Sequence, residues 1–182
     1  MLNFPVWPRF LLSTPLLFIL FGAALSATEP GNYRLGTGDS IRIHVFQEED
    51  LTIETKIGDT GTITYPLLGE IQVTGLTVSQ LEKKIHSGLK DGYLVNPQVS
   101  ISVAEYRQFF INGEVKSPGA YSYVPGLTVR KAISLAGGFA ERAAKDNILI
   151  LHEGSKDSKP VRGKIDDKVR PGDIITVEQS FF

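Results

Sequence analysis

The sequence predicts an α+β protein made of two small strand-rich domains, and two observations lead to this class. The tetrapeptide Gly-Leu-Thr-Val occurs at residues 75–78 and again at residues 126–129, so the chain contains an internal repeat. Each copy begins a segment with helical periodicity, while the residues around it alternate between apolar and polar side chains as β-strands do. Several short strands around one helix indicate an α+β arrangement rather than strand–helix alternation with a parallel sheet.

Length and composition exclude several classes of protein. The 182 residues suffice for one ordinary domain or two small ones and are too few for a TIM barrel. A formal net charge of -1 argues against a nucleic-acid partner, which would require a basic face. The chain has no cysteine, which excludes disulfide scaffolds and cysteine-based zinc or redox sites. We therefore expect neither a metal nor another cofactor.

Residues 1–27 predict a signal peptide. Arg9 is the only charged residue of this segment, an apolar stretch follows it, and small residues end it. Cleavage after Ser26 and cleavage after Ala27 both fit the pattern. An uncleaved membrane anchor is the alternative, because the uncharged run 10–27 approaches the length that crosses a bilayer. Thr28 stands where a bacterial lipoprotein has cysteine, so the exported protein is expected to carry no lipid.

The first domain is predicted over residues 28–107. Thr77 is an N-cap candidate, and Gln80 three residues later completes a capping box. Gly88 and Gly92 offer stops for the helix. The apolar stripe of this helix consists of Val78, Leu81, Ile85 and Leu89. Two strands are predicted from alternating apolar positions, which are Ile41, Ile43 and Val45 in one and Val99, Ile101 and Val103 in the other.

The second domain is predicted over residues 108–182. Thr128 caps its helix, the pair Gly137-Gly138 ends it, and the apolar stripe consists of Val129, Ala132, Ile133 and Ala136. Strands are predicted over 109–115, 120–124, 147–151, 160–165 and 173–177. The pair Gly172-Asp173 repeats the pair Gly38-Asp39 of the first domain, and each pair predicts a turn in which the aspartate caps the backbone.

No residue pattern predicts catalysis. The three histidines, at positions 44, 86 and 152, lack the spacing of metal ligands. The acidic run Glu48-Glu49-Asp50 is predicted to be a solvated loop rather than a glycosidase carboxylate pair. The glycine-rich segment 36–39 precedes a strand, whereas a phosphate-binding loop leads into a helix. The chain is therefore not expected to be an enzyme.

Several motifs, taken in order, resemble the bacterial outer-membrane polysaccharide export family. The first unit carries this likeness in Tyr33–Phe46, Asp59–Glu70, Gly75–Val78 and Asn96–Ile101, and the second unit resembles a soluble-ligand-binding β-grasp (SLBB) module in Ile111–Gly119, Gly137-Gly138 and Arg170–Ile175. Thr37 stands where the family usually has proline, and Thr60 is an extra residue in an Asp-Gly turn. Long family members continue into further modules and a pore-lining helix, whereas this sequence ends at Phe182 after its last predicted strand.

The resemblance implies a short periplasmic export protein for capsule or exopolysaccharide, at the outer membrane of a Gram-negative bacterium. Such a protein would form a homo-oligomeric ring or adaptor with no means of its own to cross lipid. Its implied partners are a polysaccharide chain, an inner-membrane polysaccharide co-polymerase and a separate outer-membrane β-barrel. Two loops are expected to face polymer or partner, namely Tyr65, Pro66, Leu67 and Leu68, and Lys116, Ser117, Pro118 and Gly119. Well-formed turns without function would explain the same residues.

Two other functions stay open from the sequence. A stand-alone periplasmic binding module would use the β-grasp unit for a small or polymeric ligand and would show tight, saturable sugar affinity. A polysaccharide-modifying enzyme would lose turnover when Glu49 or His44 is changed. A conduit differs from both because a sliding polymer requires many weak contacts and no deep binding well.

Overall fold

The structure is a computed structural model that describes residues 33–154 and 159–180. Two hydrophobic cores organise these residues: one contains buried side chains from Leu35 to Ile101, the other from Phe109 to Val177. The predicted signal peptide, its cleavage sites and the terminal Phe182 lie outside the described residues. The combination of two helices with several small sheets confirms the predicted α+β class.

A three-stranded antiparallel sheet and a separate hairpin form the first unit. The sheet has the order β2-β1-β5, and its strands are β1 (Ser40–Val45), β2 (Ile53–Lys56) and β5 (Val99–Glu105). The hairpin pairs β3 (Thr62–Tyr65) with β4 (Gly69–Gln72). Ile41, Ile43 and Val45 are buried while the residues between them are exposed, as their alternation predicts. Neither β2 nor the hairpin was among the strands predicted from the sequence.

Helix α1 (Val78–Lys90) packs its buried residues Leu81, Ile85 and Leu89 onto the first core. The predicted capping box is present: the Thr77 hydroxyl accepts from the backbone N–H of Gln80, and the Gln80 side chain accepts from the N–H of Thr77. The prediction that Gly88 ends the helix is wrong, because Gly88 lies within it. A Cβ atom at this position would lie 2.9 Å from Leu68, so the glycine makes room for the hairpin.

A five-stranded sheet with the order β7-β6-β10-β8-β9 forms the second unit. Its strands are β6 (Phe109–Gly113), β7 (Gly119–Tyr121), β8 (Ala143–Leu151), β9 (Val161–Gly163) and β10 (Ile174–Gln179). The central strand β10 runs parallel to β6 and antiparallel to β8, so the sheet contains one parallel pair. Helix α2 (Val129–Leu135) is capped by Thr128 and contributes Val129, Ala132 and Ile133 to the second core.

All five strands of the second unit differ in their limits from the prediction. Strands β6 and β10 cover Phe109–Gly113 and Ile174–Gln179 in place of 109–115 and 173–177, and β7 covers Gly119–Tyr121 in place of 120–124. Strand β8 begins at Ala143, four residues before the predicted start, because its first part pairs with β10 across a register shift at Gln179. The residues Ala143–Asp146 have no apolar alternation that could have indicated this extension. Strand β9 covers only Val161–Gly163 of the predicted 160–165. No helix among residues 33–154 and 159–180 is long and apolar enough to span a membrane.

Candidate functional site

The loop at 65–68 forms the turn of the β3–β4 hairpin. Tyr65 is 1% exposed, and its hydroxyl donates to the carbonyl oxygen of Leu51 at 2.7 Å, so this side chain belongs to the core and faces neither polymer nor partner. Leu68 packs against the same core. Leu67 is exposed, with a backbone φ of 66°, and Pro66 is half-buried. The surface that this turn offers is therefore the side chain of Leu67.

The loop at 116–119 is exposed but firmly held. The backbone N–H of Lys116 donates to Gly138, and that of Ser117 donates to Ala136, which fixes the loop to the end of α2. Pro118 and Gly119 complete the turn into β7. This loop is part of the second unit and the hairpin turn is part of the first. No hydrogen bond connects the two among the residues described, so their shared role stays a prediction.

Asp39 and Asp173 occupy equivalent turns in the two units. The Asp39 carboxylate accepts from the backbone N–H of Gly36 at 2.8 Å, and the Asp173 carboxylate accepts from that of Arg170 at the same distance. Gly38 and Gly172 precede the two aspartates with φ of 91° and 83°. Both side chains are essentially fully buried, and a buried carboxylate requires hydrogen bonds and a compensating charge.

Arg107 supplies the compensating charge for Asp39. Its backbone N–H donates to Asp39 Oδ1 at 2.8 Å, and its guanidinium Nη1 lies 3.2 Å from Asp39 Oδ2. The same Nη1 donates to the hydroxyl of Tyr33 at 2.7 Å, and that hydroxyl donates to Asp39 Oδ2 at 2.5 Å. Three side chains thus form one closed polar cluster beside the first core.

The guanidinium of Arg107 also reaches the second unit. Its Nε donates to Glu153 Oε2 at 2.6 Å, and Glu153 follows strand β8. Gly36 and Gly172 leave room for this bridge, because a Cβ atom at Gly36 would lie 2.6 Å from Arg107 Nη1 and one at Gly172 would overlap the Glu153 carboxylate. We call Tyr33, Asp39, Arg107 and Glu153 the interdomain clasp.

Three tyrosine rings extend the contact between the units. Tyr33 and Tyr106 meet edge to face with ring centroids 5.1 Å apart, and Tyr106 meets Tyr123 of the second unit in the same way at 5.3 Å. Each such pair adds about 0.5–1.5 kcal/mol beyond the area it buries. The Arg107 guanidinium lies 5.9 Å from the Tyr33 centroid, within range of a cation–π contact.

Two members of the clasp, Tyr33 and Arg107, have raised pKa values. Burial raises the pKa of Tyr33, and its hydrogen bond to the Asp39 carboxylate raises it further, so the hydroxyl remains a donor. Partial burial acts to lower the pKa of Arg107, but the hydrogen bond to Glu153 and the nearby Tyr33 and Asp39 outweigh it and raise this pKa. The Tyr33 hydroxyl and the Arg107 guanidinium therefore stay protonated across physiological pH.

A cleft of about 660 Å³ opens beside the clasp, between the two units. Lys56 and Glu105 line it from the first unit, and His152 and Phe110 line it from the second. His152 is 30% exposed on its side chain, and its Nδ1 lies 2.8 Å from Asp173 Oδ1. Within the described part of the chain, no three histidine, aspartate or glutamate side chains are grouped to hold a metal ion. Of the charged residues that line the cleft, Arg107 and Glu153 are paired with each other, which suits a joint that fixes two units.

Sequence reasoning missed most of this site. The sequence indicates Asp39 and Asp173 as turn residues and gives His152 no role beyond its lack of metal-ligand spacing. It gave no role to Arg107, which is separated from Asp39 by 68 residues. The available signal was the charge of Arg107 at the predicted junction of the domains, and a charge alone does not identify its partner.

Comparison with known proteins places both units in described families. A family model for polysaccharide biosynthesis/export proteins matches residues 27–104, and the SLBB domain model matches residues 108–161. The second match ends before the central strand β10 begins. The two matches follow each other in the predicted order, one on each hydrophobic core.

Three relatives illustrate the similarity. The chain is 31% identical to the exopolysaccharide production protein ExoF of Rhizobium meliloti over 73% of this chain and 36% of ExoF. It is 31% identical to the EPS I polysaccharide export outer membrane protein EpsA of Ralstonia nicotianae over 87% of this chain and 50% of EpsA. It is 28% identical to the polysialic acid transport protein KpsD of Escherichia coli over 65% of this chain and 22% of KpsD. The chain thus spans half or less of these relatives.

Proposed function

This chain belongs to the polysaccharide biosynthesis/export protein family, and we propose that it is a periplasmic component of a capsule or exopolysaccharide export machine. In this role it forms a homo-oligomeric ring or adaptor that passes polymer to a separate outer-membrane channel. The names of the relatives support the role, because they refer to exopolysaccharide production, to polysaccharide export at the outer membrane and to polysialic acid transport.

The observation that carries this proposal is the interdomain clasp. A closed ring requires every subunit to present its two contact surfaces at one fixed rotation, because a variable rotation gives rings of mixed size or open filaments. Arg107 joins a buried carboxylate of the export unit to Glu153 of the SLBB unit, and the three tyrosine rings pack across the same junction. The two units can therefore act as one rigid subunit.

The cleft beside the clasp suits transient contact with a sugar chain. Its lining combines cationic and anionic side chains with the ring of Phe110, which is 42% exposed. Weak contacts of this kind let a polymer slide, whereas one deep site would slow its release. The exposed Leu67 and the loop 116–119 remain the proposed contacts with polymer or with partners, which we propose to be an inner-membrane polysaccharide co-polymerase and an outer-membrane channel.

Native mass spectrometry of the protein purified from the bacterial envelope tests the proposal. We expect one discrete oligomer larger than a dimer, co-purification of envelope partners, and retention of polymer inside cells that lack the protein. The variant Arg107→Ala is expected to broaden the distribution of oligomers, while Arg42→Ala, which removes an exposed ion pair with Glu54, leaves it unchanged. The proposal would be refuted if the purified protein were strictly monomeric and cells that lack it secreted polymer normally. Tight, saturable sugar binding by that monomer would favour the stand-alone binding module.

A further inference from the structure

A second groove, of about 700 Å³, lies in the SLBB unit between helix α2 and the edge strand β9. It is separate from the interdomain cleft, because the two share no lining residue. Four basic residues and one acidic residue line it, and they are Arg130, Lys145, Arg162, Lys164 and Asp146. This surplus is local, since the whole chain has a formal net charge of -1.

The basic residues of this groove are weakly compensated. Arg130 pairs with Asp166 at 2.8 Å, but the two side chains are 61% and 76% exposed, so the pair contributes little. Arg162 donates to the backbone carbonyl oxygen of Asp146, which carries no formal charge. Within residues 33–154 and 159–180, the ammonium groups of Lys145 and Lys164 have neither a hydrogen-bond nor an ion-pair partner. Weakly compensated like charges that line one groove favour a bound anion.

The groove also has a fixed apolar wall. Ile133 is 3% exposed, and Phe139 and Ile165 are half-buried against the second core. Gly163 lies at the same wall, and a Cβ atom there would approach the end of the Ile150 side chain to 2.5 Å, so any other residue would require Ile150 to shift. An apolar wall beside cations suits a sugar ring, which presents C–H groups on one face and its charged substituent at the edge.

We propose that this groove binds carboxylate-bearing sugar residues of the exported polymer. Arginine and lysine side chains are the usual partners of carboxylates, and the arginines can bind both oxygens. The identification of the ligand as polymer rests on the proposed function, whereas the selectivity for a carboxylate rests on the groove alone. Asp146 disfavours highly charged anions, which agrees with one carboxylate per sugar residue.

Titration calorimetry of the purified full-length protein with an oligogalacturonate tests this assignment. The methyl ester of the same oligomer is the matched neutral ligand, and monomeric galacturonate separates a polymer site from a site for a free sugar acid. We expect the charged oligomer to bind at least about tenfold more tightly than its ester, with an affinity that falls as salt is added. The double variant K145Q/K164Q should weaken this binding about tenfold, and the control K83Q/K90Q, which removes the same charge from α1, less than about twofold.

Equal affinity for the charged oligomer and its ester, or equal loss in the two double variants, would overturn the assignment. Preference for the monomer over the oligomer would also contradict it, because the groove would then serve a small solute. Thermal unfolding verifies that both variants fold. Oligomeric state and polymer secretion are measured independently, so a failure of acidic-sugar binding leaves the proposed export role standing, and a failure of that role does not remove the measured selectivity.

Discussion

Replacement of Arg107 by alanine tests whether the interdomain clasp stabilises the molecule. The substitution removes the only cationic side chain that contacts Asp39 among the described residues, and Asp39 is 0% exposed. Loss of one partner of a buried ion pair typically costs about 3–5 kcal/mol, because the remaining charge is uncompensated. Here the backbone N–H groups of Gly36 and residue 107 and the Tyr33 hydroxyl still donate to Asp39. We therefore expect a smaller loss, of about 2–3 kcal/mol in the free energy of unfolding.

Urea unfolding measures this loss, and hydrogen exchange shows where it arises. Exchange of amides in β1 and β10 should be equally protected in the wild-type protein and should separate in Arg107→Ala, since the clasp joins the two cores. The control is Arg42→Ala, which deletes the same side chain from a pair with Glu54 whose members are 62% and 50% exposed. This control should cost no more than about 1 kcal/mol. Equal losses in the two variants would refute the reasoning.

Three further predictions follow from the same structure. Gly113→Ala should destabilise the protein by about 3 kcal/mol or more in thermal unfolding, because φ is 81° and a Cβ atom would overlap the carbonyl oxygen of Val177. The control Gly75→Ala, where φ is 85° and no atom lies near, should cost only about 1 kcal/mol. Equal costs in the two variants would contradict the overlap. Burial raises the pKa of Tyr65 to about 12, so its contribution to stability is complete below pH 10 and is lost as pH rises towards 12. Urea titrations should therefore show a steeper alkaline loss, by up to about 2 kcal/mol, in the wild type than in Tyr65→Phe, and parallel curves would disprove the shift. Thr77→Ala should cost about 1 kcal/mol in urea unfolding by removing the N-cap of α1, while Ser79→Ala in the first turn of the helix should be nearly neutral.

The elements that could be predicted from the sequence are those fixed by local chemistry. The capping box of Thr77 and Gln80 depends on residues three positions apart, and the buried face of β1 depends on alternation along one strand. Strand β2 was missed because its four residues Ile53–Lys56 are all half-buried or exposed and give little contrast. Gly88 was misread because a glycine that makes room for Leu68 looks, in sequence, like a glycine that ends a helix.

The candidate sites depend on contacts that sequence spacing does not encode. Asp39 was recognised as a turn residue from its neighbours, but its pairing with Arg107 requires the ends of the first unit to meet. Glu153 enters the clasp only because strand β8 ends beside that junction. The basic groove likewise combines Arg130 of α2 with Arg162 of β9, which come together only when the helix packs on the sheet. Local patterns therefore identify the building blocks, and tertiary packing creates the sites.

The position of β10 in the middle of its sheet has a consequence for how the second unit folds. Residues Ile174–Gln179 follow every other strand of this sheet in the sequence, yet they provide the hydrogen-bonding partners of both β6 and β8. Until they arrive, two strands present unsatisfied edges and the second core cannot close. A chain cut before Ile174 should therefore leave the SLBB unit unfolded and prone to aggregate.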